Sequence, residues 1–167
     1  KLLVANRGEI AIRLMRAAAE LDIPTVAIAP ADDASALHTV KANESVTLPG
    51  SGPAAYLDIP EVVATAKETG CDAVHPGYGF LAENGDFARA CNDAGITYVG
   101  PSAEMLDLFG DKARARAAAI DAGVPIIHGI DHAVTLEEAN AFFAELGASR
   151  SMMIKAIAGG GGRGSRM

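Results

Sequence analysis

The sequence predicts an α/β fold in which an open, mostly parallel β-sheet carries helices on both faces. Short runs of aliphatic and β-branched residues alternate with longer stretches that repeat apolar residues every three or four positions. This alternation is typical of strand–helix–strand units, whose strands run parallel. The composition agrees, because 50% of the 167 residues are hydrophobic and 21% are charged, which is ordinary for a folded domain.

The individual elements follow from these two patterns, in which short apolar runs predict strands and repeats of three or four positions predict helices. Strands are predicted at residues 1–5, 25–29, 45–48, 73–75, 97–99 and 152–155. Helices are predicted at residues 9–21, 34–41, 59–68, 86–94, 102–109, 111–122 and 135–146. In the first helix, the stripe expected to face the sheet consists of Ile10, Leu14, Ala17 and Leu21.

The loops that follow the strands are the candidate ligand sites. Open parallel sheets bind ligands outside the carboxyl ends of their strands. Here these ends lead into residues 6–8, residues 76–81 and the pair Gly100 and Pro101. The Pro-Gly-Ser-Gly-Pro segment at 49–53 is predicted to be flexible.

The alternating pattern stops at Gly100 and Pro101, which indicates a domain boundary. We expect a first domain over 1–100, a helical linker over 101–125 and part of another domain over 126–167. A glycine-rich run at 159–164 follows the strand at 152–155, and no partner strand is expected after it. We therefore expect the chain to be a fragment.

Charge and composition exclude several classes of protein. With 14 basic and 21 acidic residues the net charge is -7, which argues against nucleic-acid binding. Residues 1–110 carry 7 basic and 15 acidic side chains, whereas residues 111–167 carry 7 and 6. Any anionic ligand is therefore expected toward the C-terminal part. Cys71 and Cys91 suit small buried side chains in a reducing compartment.

Membrane and secretory features are not predicted either. No apolar run approaches the roughly 20 residues of a membrane span, and no charged leader precedes a short apolar stretch. We therefore expect an intracellular protein.

The glycine-rich run is the strongest local signal for a ligand. Consecutive glycines let backbone N–H groups converge on phosphate oxygens. The run is not a P-loop, because Ser165 and Arg166 stand where Lys and Ser or Thr are required. Lys155, four residues before the run, is placed to meet a phosphate. A linker with a solvated lysine is the alternative.

A second cluster of positive charge begins the helix at 111–122. Lys112, Arg114 and Arg116 oppose the dipole at that helix end. This favours a nearby anion, although a solvated helix face explains the pattern equally well.

The sequence HPGYGFLAEN at 75–84 places Tyr78 between two glycines after a strand. Such a loop can present a tyrosine to a flat ligand, and the alternative is a buried turn with a hydrogen-bonded tyrosine. A metal site at His128, Asp131 and His132 is rejected, because a lone histidine pair in a loop is usually coincidental.

Five stretches occur in the same order as in a known family. They are residues 5–11, residues 75–84, Gly100-Pro101-Ser102, Gly110-Asp111-Lys112, and Lys155-Ala156 leading into the glycine-rich run. On these residues the whole chain resembles the N-terminal part of biotin carboxylase, the component found in acetyl-, propionyl-, longer acyl-CoA and pyruvate carboxylases.

The resemblance implies an architecture and a reaction. It implies a Rossmann-like pre-ATP-grasp domain at 1–100, a linker at 101–125 and the first part of an ATP-grasp lid at 126–167. The whole enzyme would use ATP and Mg²⁺ to activate bicarbonate as carboxyphosphate and would then carboxylate biotin on a carrier domain. A carboxyltransferase would be the further partner and would set the acyl acceptor.

The resemblance also assigns roles to individual residues. It places Lys112, Lys155, Gly160, Gly161 and Gly162 at the ATP phosphates, and Tyr78 and Gly79 beside biotin. It places Arg13, Arg16 and Glu20 of the first helix at a homodimer interface. Catalytic residues and Mg²⁺ ligands are expected outside these 167 residues, so the chain alone is expected to be inactive. The implied location is the bacterial cytoplasm, or the mitochondrial matrix in a eukaryote.

Two alternatives stay open from the residues alone. Another ATP-grasp ligase, such as a carbamoyl-phosphate synthetase, shares the architecture but is not expected to carry HPGYGFLAEN. A non-catalytic nucleotide-binding module is favoured only if the natural protein ends near Met167.

Overall fold

The computed structural model describes residues 1–130, 132–147, 150–155 and 165–166. The chain divides into two compact units, Lys1–Leu106 and Asp107–Met167. The predicted three-part division into 1–100, 101–125 and 126–167 stays a prediction.

The first unit is built on a parallel sheet. Its strands are β1 (Leu2–Val4), β2 (Thr25–Pro30), β3 (Glu44–Leu48), β4 (Ala73–His75) and β5 (Thr97–Tyr98). They lie in the order β3-β2-β1-β4-β5, and every pairing is parallel. In this register Leu3 lies between Val26 and Val74. The predicted α/β fold is confirmed.

Helices connect the strands of this sheet. They are α1 (Gly8–Glu20), α2 (Leu37–Lys41), α3 (Gly52–Ala55), α4 (Ile59–Glu68) and α5 (Gly85–Asp93), and α6 (Ala103–Gly110) follows β5. Both ends of α4 have clear causes, because the Asp58 carboxylate accepts a hydrogen bond from the Glu61 N–H and Gly70 follows with a φ of 67°.

Both faces of the sheet are buried, because successive strand residues point in opposite directions. One face packs against α3–α6 through a large cluster that includes Leu3, Val26 and Val74. The other face packs against α1, where Val4 and Ala27 contact Ala11 and Met15. Cys71 and Cys91 lie in the first cluster, and burial raises the pKa of the Cys91 thiol to about 11.

The buried face of α1 differs from the predicted stripe. The buried residues are Ala11, Met15 and Ala18, whereas Leu21 is 70% exposed. Each lies one position C-terminal to a residue of the predicted stripe. Ala11, Met15 and Ala18 occupy the innermost positions, where the two small alanines allow the helix to lie close to the sheet, and Ile10 and Leu14 flank this row.

Two connections also differ from expectation. The segment predicted to be flexible at 49–53 contains the start of α3, because Pro53 suits the first turn of a helix. The helix predicted at 34–41 is shorter in the structure and covers only Leu37–Lys41. A separate 3₁₀ turn at Ala31–Asp33 precedes it and is not continuous with it.

The second unit contains α7 (Lys112–Asp121), α8 (Leu136–Leu146) and the strands β6 (Ile154–Lys155) and β7 (Ser165–Arg166). Thr135 and Glu138 form a reciprocal capping box at the start of α8. β6 pairs antiparallel with β7, so Lys155 lies opposite Ser165. The expectation that β6 lacks a partner strand is therefore wrong. Among the helices that the structure describes, none is long and apolar enough to cross a membrane.

Candidate functional site

The chain order of the sheet reverses between β1 and β4. β1 continues into residues 6–8 and β4 into residues 76–81, and because the two strands are neighbours their loops meet at one edge. This is the position at which open α/β sheets bind their ligands. Two of the three candidate loops are therefore brought together.

Asn6 joins these two loops. Its Nδ2 donates to the carbonyl oxygen of Pro76 at 2.6 Å and to that of Tyr78 at 2.8 Å. Its Oδ1 accepts a hydrogen bond from the Arg7 N–H at 2.8 Å. The residue is only 2% exposed, so water cannot replace these partners.

Gly77 is the residue around which the second loop bends. Its φ is 69°, and a Cβ at this position would lie 2.8 Å from Asn6 Nδ2 and 3.1 Å from Ile10 Cγ1. Both the backbone angle and the available space therefore require glycine. The Gly77 N–H donates to His75 Nδ1 at 3.0 Å, so this ring nitrogen is the acceptor of a neutral imidazole. Burial lowers the pKa of His75.

Tyr78 projects from this bend toward solvent. The residue is 61% exposed, and its hydroxyl group donates a hydrogen bond to the Glu9 carboxylate in the first turn of α1. This hydrogen bond raises the pKa of Tyr78. The alternative of a buried turn is wrong for the ring, although the tyrosine is hydrogen-bonded.

The backbone beyond Tyr78 is left-handed at two successive residues. Gly79 has a φ of 67° and Phe80 a φ of 45°. A positive φ is unfavourable for phenylalanine, so the surrounding contacts must stabilise this shape.

The third candidate loop lies beside the second. Tyr98, at the end of β5, donates its hydroxyl hydrogen bond to the Ala82 carbonyl oxygen at 3.0 Å. A Cβ at Gly100 would lie 2.5 Å from Tyr98 Cε1. Glycine at this position therefore leaves room for the tyrosine that supports residues 76–84.

On the other side of β1, a charged network holds residues 6–8. Arg7 donates from Nε and Nη2 to the two carboxylate oxygens of Asp33, at 2.6 and 2.9 Å. The Tyr56 hydroxyl donates to Asp33 Oδ2 at 2.7 Å. The hydrogen bonds from Arg7 lower the pKa of Asp33 to about 2, and burial is the main cause that raises the pKa of Tyr56.

This network lines a small cavity at the carboxyl ends of β1, β2 and β3. Its volume is about 220 Å³. The lining residues are Arg7, Asp32, Asp33, Gly52, Pro53 and Tyr56. The Asp32 carboxylate accepts a hydrogen bond from the Gly52 N–H at 3.0 Å. These side chains bind one another, which indicates a structural role for the network.

The positive residues of the second unit have separate environments. Lys112 is exposed at the start of α7, where the Asp111 carboxylate accepts hydrogen bonds from the Ala113 and Arg114 N–H groups. The negative charge of Asp111 thus stabilises the N-terminal end of α7. Arg116 donates to the carbonyl oxygens of Ile127 and Gly129, at 2.6 and 3.2 Å, so its guanidinium is engaged by the chain itself.

Lys155 is exposed on β6. Gly160, Gly161 and Gly162 lie outside the described residues, as does Asp131. His132 Nε2 lies 3.6 Å from a Glu138 carboxylate oxygen, and the His128 ring centroid lies 5.1 Å from that of Phe142. Across 1–130, 132–147, 150–155 and 165–166, no three His, Cys, Asp or Glu side chains lie close enough to hold a metal ion.

Comparison with known families decides the affiliation. Residues 1–106 match the family model described as biotin carboxylase, N-terminal domain. The chain belongs to the biotin carboxylase N-terminal domain family. Residues 111–167 match the model described as carbamoyl-phosphate synthase L chain, ATP binding domain. The resemblance to biotin carboxylase is confirmed.

Relatives of this biotin carboxylase family member align along its whole length. The chain is 55% identical to pyruvate carboxylase of Staphylococcus aureus, covering 100% of the chain and 15% of the relative. It is 47% identical to biotin carboxylase of Pseudomonas aeruginosa, and this alignment covers 100% of the chain and 37% of the relative. The chain therefore spans well under half the length of either relative. Both carboxylases align with residues 1–106 and also with residues 111–167, so the alternative that the chain is part of a carbamoyl-phosphate synthetase is not favoured.

A solved structure resembles the fold closely. The biotin carboxylase domain dimer of Hydrogenobacter thermophilus 2-oxoglutarate carboxylase, described in complex with MgADP, ADP and bicarbonate, is 46% identical with a TM-score of 0.92. The alignment covers 99% of this chain and 36% of that one.

Sequence reasoning found the loops of this biotin carboxylase domain but missed the side chains that join them. Asn6 and Asp33 each bind a partner that is remote in sequence, by 70 and 26 residues. A polar residue directly after a buried strand is a signal for such contacts, but it does not identify the partner.

Proposed function

We propose that this chain is the N-terminal part of an ATP-dependent ligase that carboxylates biotin with bicarbonate. The observation that carries the proposal is the match of residues 1–106 to the biotin carboxylase N-terminal domain. The solved relative described with MgADP and bicarbonate supports the same substrates. A non-catalytic nucleotide-binding module has no comparable support.

The biotin side of the site is assigned to Tyr78 and Gly79. The exposed ring of Tyr78 lies where the sheet order reverses, next to the exposed backbone of Gly79. An aromatic face and unobstructed backbone groups suit a flat bicyclic ligand that needs apolar contact and a few hydrogen bonds. These two residues would bind and orient biotin.

The phosphate side is assigned to Lys112, Lys155, Gly160, Gly161 and Gly162. Lys112 and Lys155 are exposed, so a ligand at the protein surface can contact either side chain. ATP supplies the phosphoryl group that activates bicarbonate. Charge-assisted hydrogen bonds from lysine would hold its phosphates. Mg²⁺ ligands are assigned outside this chain.

The partners are assigned from the same family. A carrier domain would present biotin and a carboxyltransferase would receive the carboxyl group. A homodimer through α1 is proposed, since Arg13, Arg16 and Glu20 are exposed on that helix and the Hydrogenobacter relative is described as a dimer. The proposed location is the bacterial cytoplasm, or the mitochondrial matrix in a eukaryote.

The test uses the gene product that contains this chain. ATP consumption that depends on both biotin and bicarbonate is measured for the wild type, Lys112→Gln and Lys155→Gln. Each variant should raise the KM for ATP or lower kcat by at least about tenfold, because a charge-assisted hydrogen bond is lost. Lys67→Gln, at an exposed position of α4, is the matched control and should behave as the wild type. Wild-type kinetics in both test variants would remove the phosphate assignment.

A further inference from the structure

We infer that Asn6 and Glu9 together position Tyr78 for biotin, acting as a two-point clamp on its loop. The clamp consists of the Asn6 amide on the Tyr78 backbone and the Glu9 carboxylate on the Tyr78 hydroxyl. The inference rests on the proposed function, because it takes Tyr78 to be a residue that faces biotin. Asn6 and Glu9 are positioning residues, since they act through Tyr78.

The first point of the clamp fixes the backbone. An asparagine amide has two N–H donors, and both are used, one on the Pro76 carbonyl and one on the Tyr78 carbonyl. Two carbonyl groups two residues apart therefore converge on one nitrogen, with Gly77 bent around it. The Asn6 Oδ1 is held in turn by the Arg7 N–H, which fixes the orientation of the amide plane.

No other side chain of similar size can replace this amide. Serine offers one donor and is too short to reach both carbonyl groups. Aspartate would place a carboxylate oxygen, which can only accept hydrogen bonds, in front of the two carbonyl oxygens. A buried carbonyl left without a donor is unfavourable, so the loop of a variant would have to move to find water.

The second point fixes the ring. Because Tyr78 is 61% exposed, core packing does not determine its rotamer. Its hydroxyl hydrogen bond to Glu9 is the contact that restrains the far end of the side chain. Asn6 lies in the short connection between β1 and α1, and Glu9 lies in the first turn of α1. One rigid segment thus holds both ends of Tyr78.

The loop needs such support. Gly77, Gly79 and Phe80 all have positive φ values, of 69°, 67° and 45°. A backbone of this kind persists only where outside contacts stabilise it. An ordered ring and loop also lose less conformational entropy when a ligand binds.

The kinetic test uses the gene product that contains this chain. Asn6→Ser should raise the KM for biotin by at least about tenfold, because misplaced contacts weaken binding. The KM for ATP should stay within about twofold of the wild type. Asn43→Ser is the matched control, since Asn43 also holds the backbone, through Thr25, but at the opposite end of the sheet. Equal changes in both KM values, or a biotin KM like that of the control, would overturn the inference.

A double-mutant cycle tests the second point and stays informative if Asn6→Ser fails to fold. Tyr78→Phe should raise the KM for biotin in the wild-type background. The same change should have no further effect in a Glu9→Ala background, because the hydrogen bond is already absent. Additive effects would exclude the Glu9 contact as a positioning contact.

A measurement of hydrogen exchange separates this inference from the proposed function. Amides of residues 77–80 should exchange faster in Asn6→Ser than in the wild type, with other segments unchanged. If the wild type does not carboxylate biotin, the proposed function fails and the biotin role of the clamp fails with it. Faster exchange at 77–80 would then still support the clamp as a contact, and unchanged exchange would overturn that as well.

Discussion

Arg7 and Asp33 form a two-bond ion pair that joins the carboxyl ends of β1 and β2, with N–O distances of 2.6 and 2.9 Å. The adjacent residue, Asn6, joins β1 to the loop after β4. Through Asn6 and Arg7, the connection after β1 is therefore held from both sides. This arrangement keeps the turn before α1 fixed at the point where the sheet order reverses.

Removing the charge of Asp33 should destabilise this turn. Asp33→Asn leaves Arg7 without its carboxylate, and we expect the free energy of unfolding to fall by about 1–3 kcal/mol. Chemical unfolding measures the change. Asp86→Asn is the control, because its ion pair with Arg89 lies on the surface and should contribute less. Equal effects of the two substitutions would contradict a special role for Asp33.

Acid should weaken the same ion pair. The folded pKa of Asp33, about 2, lies below its ordinary value of 3.8. A carboxyl group with a lowered folded pKa contributes stability that is present above the unfolded pKa and is lost as the pH falls toward the folded one. The wild type should therefore lose more stability than Asp33→Asn between pH 5 and about pH 2. Parallel curves for the two proteins would be inconsistent with this assignment.

Gly77 should tolerate a methyl group less well than other glycines with a similar backbone. At Gly95, φ is 73° and open space surrounds the position of a Cβ, so Gly95→Ala should cost about 1–2 kcal/mol through the backbone alone. Gly77→Ala adds a contact of 2.8 Å with Asn6 and should destabilise the protein further. Thermal unfolding compares the two, and equal shifts in Tm would show that the loop yields to the methyl group.

Protonation of His75 should loosen the loop at mildly acidic pH. Burial lowers the pKa of His75 below its ordinary value of 6.5, and Nδ1 must stay unprotonated to accept the Gly77 N–H. The unfolded state then binds the proton more readily, so stability is full above about pH 6.5 and declines as the pH falls. His75→Gln should flatten this decline between pH 7 and pH 5, as measured by chemical unfolding. An unchanged slope would count against the role of Nδ1.

Local signals determined how much of the fold was predictable. The bounds of α4 match those of the predicted helix, because Asp58 caps its start and Gly70 ends it. The buried face of α1 was misplaced by one residue, since periodicity does not show that alanines face the sheet. Glycine and proline at 49–53 predict a flexible segment and so do not reveal α3, although proline also favours a helix start.

The site was predictable only in part for a related reason. Strand ends locate the loops, so residues 6–8 and 76–81 were found. The Asn6 contact with Pro76 spans 70 residues and depends on the register between β1 and β4. No local sequence pattern specifies which residues of β1 and β4 lie opposite each other.

The most direct test of the central claim follows the carbon of bicarbonate. The gene product that contains this chain is incubated with ¹⁴C-bicarbonate, biotin, Mg²⁺ and an ammonium salt as nitrogen donor, with and without ATP, and the labelled products are separated. We expect label on biotin only when ATP is present. Labelled carbamoyl phosphate without labelled biotin, or no ATP-dependent label at all, would contradict the account.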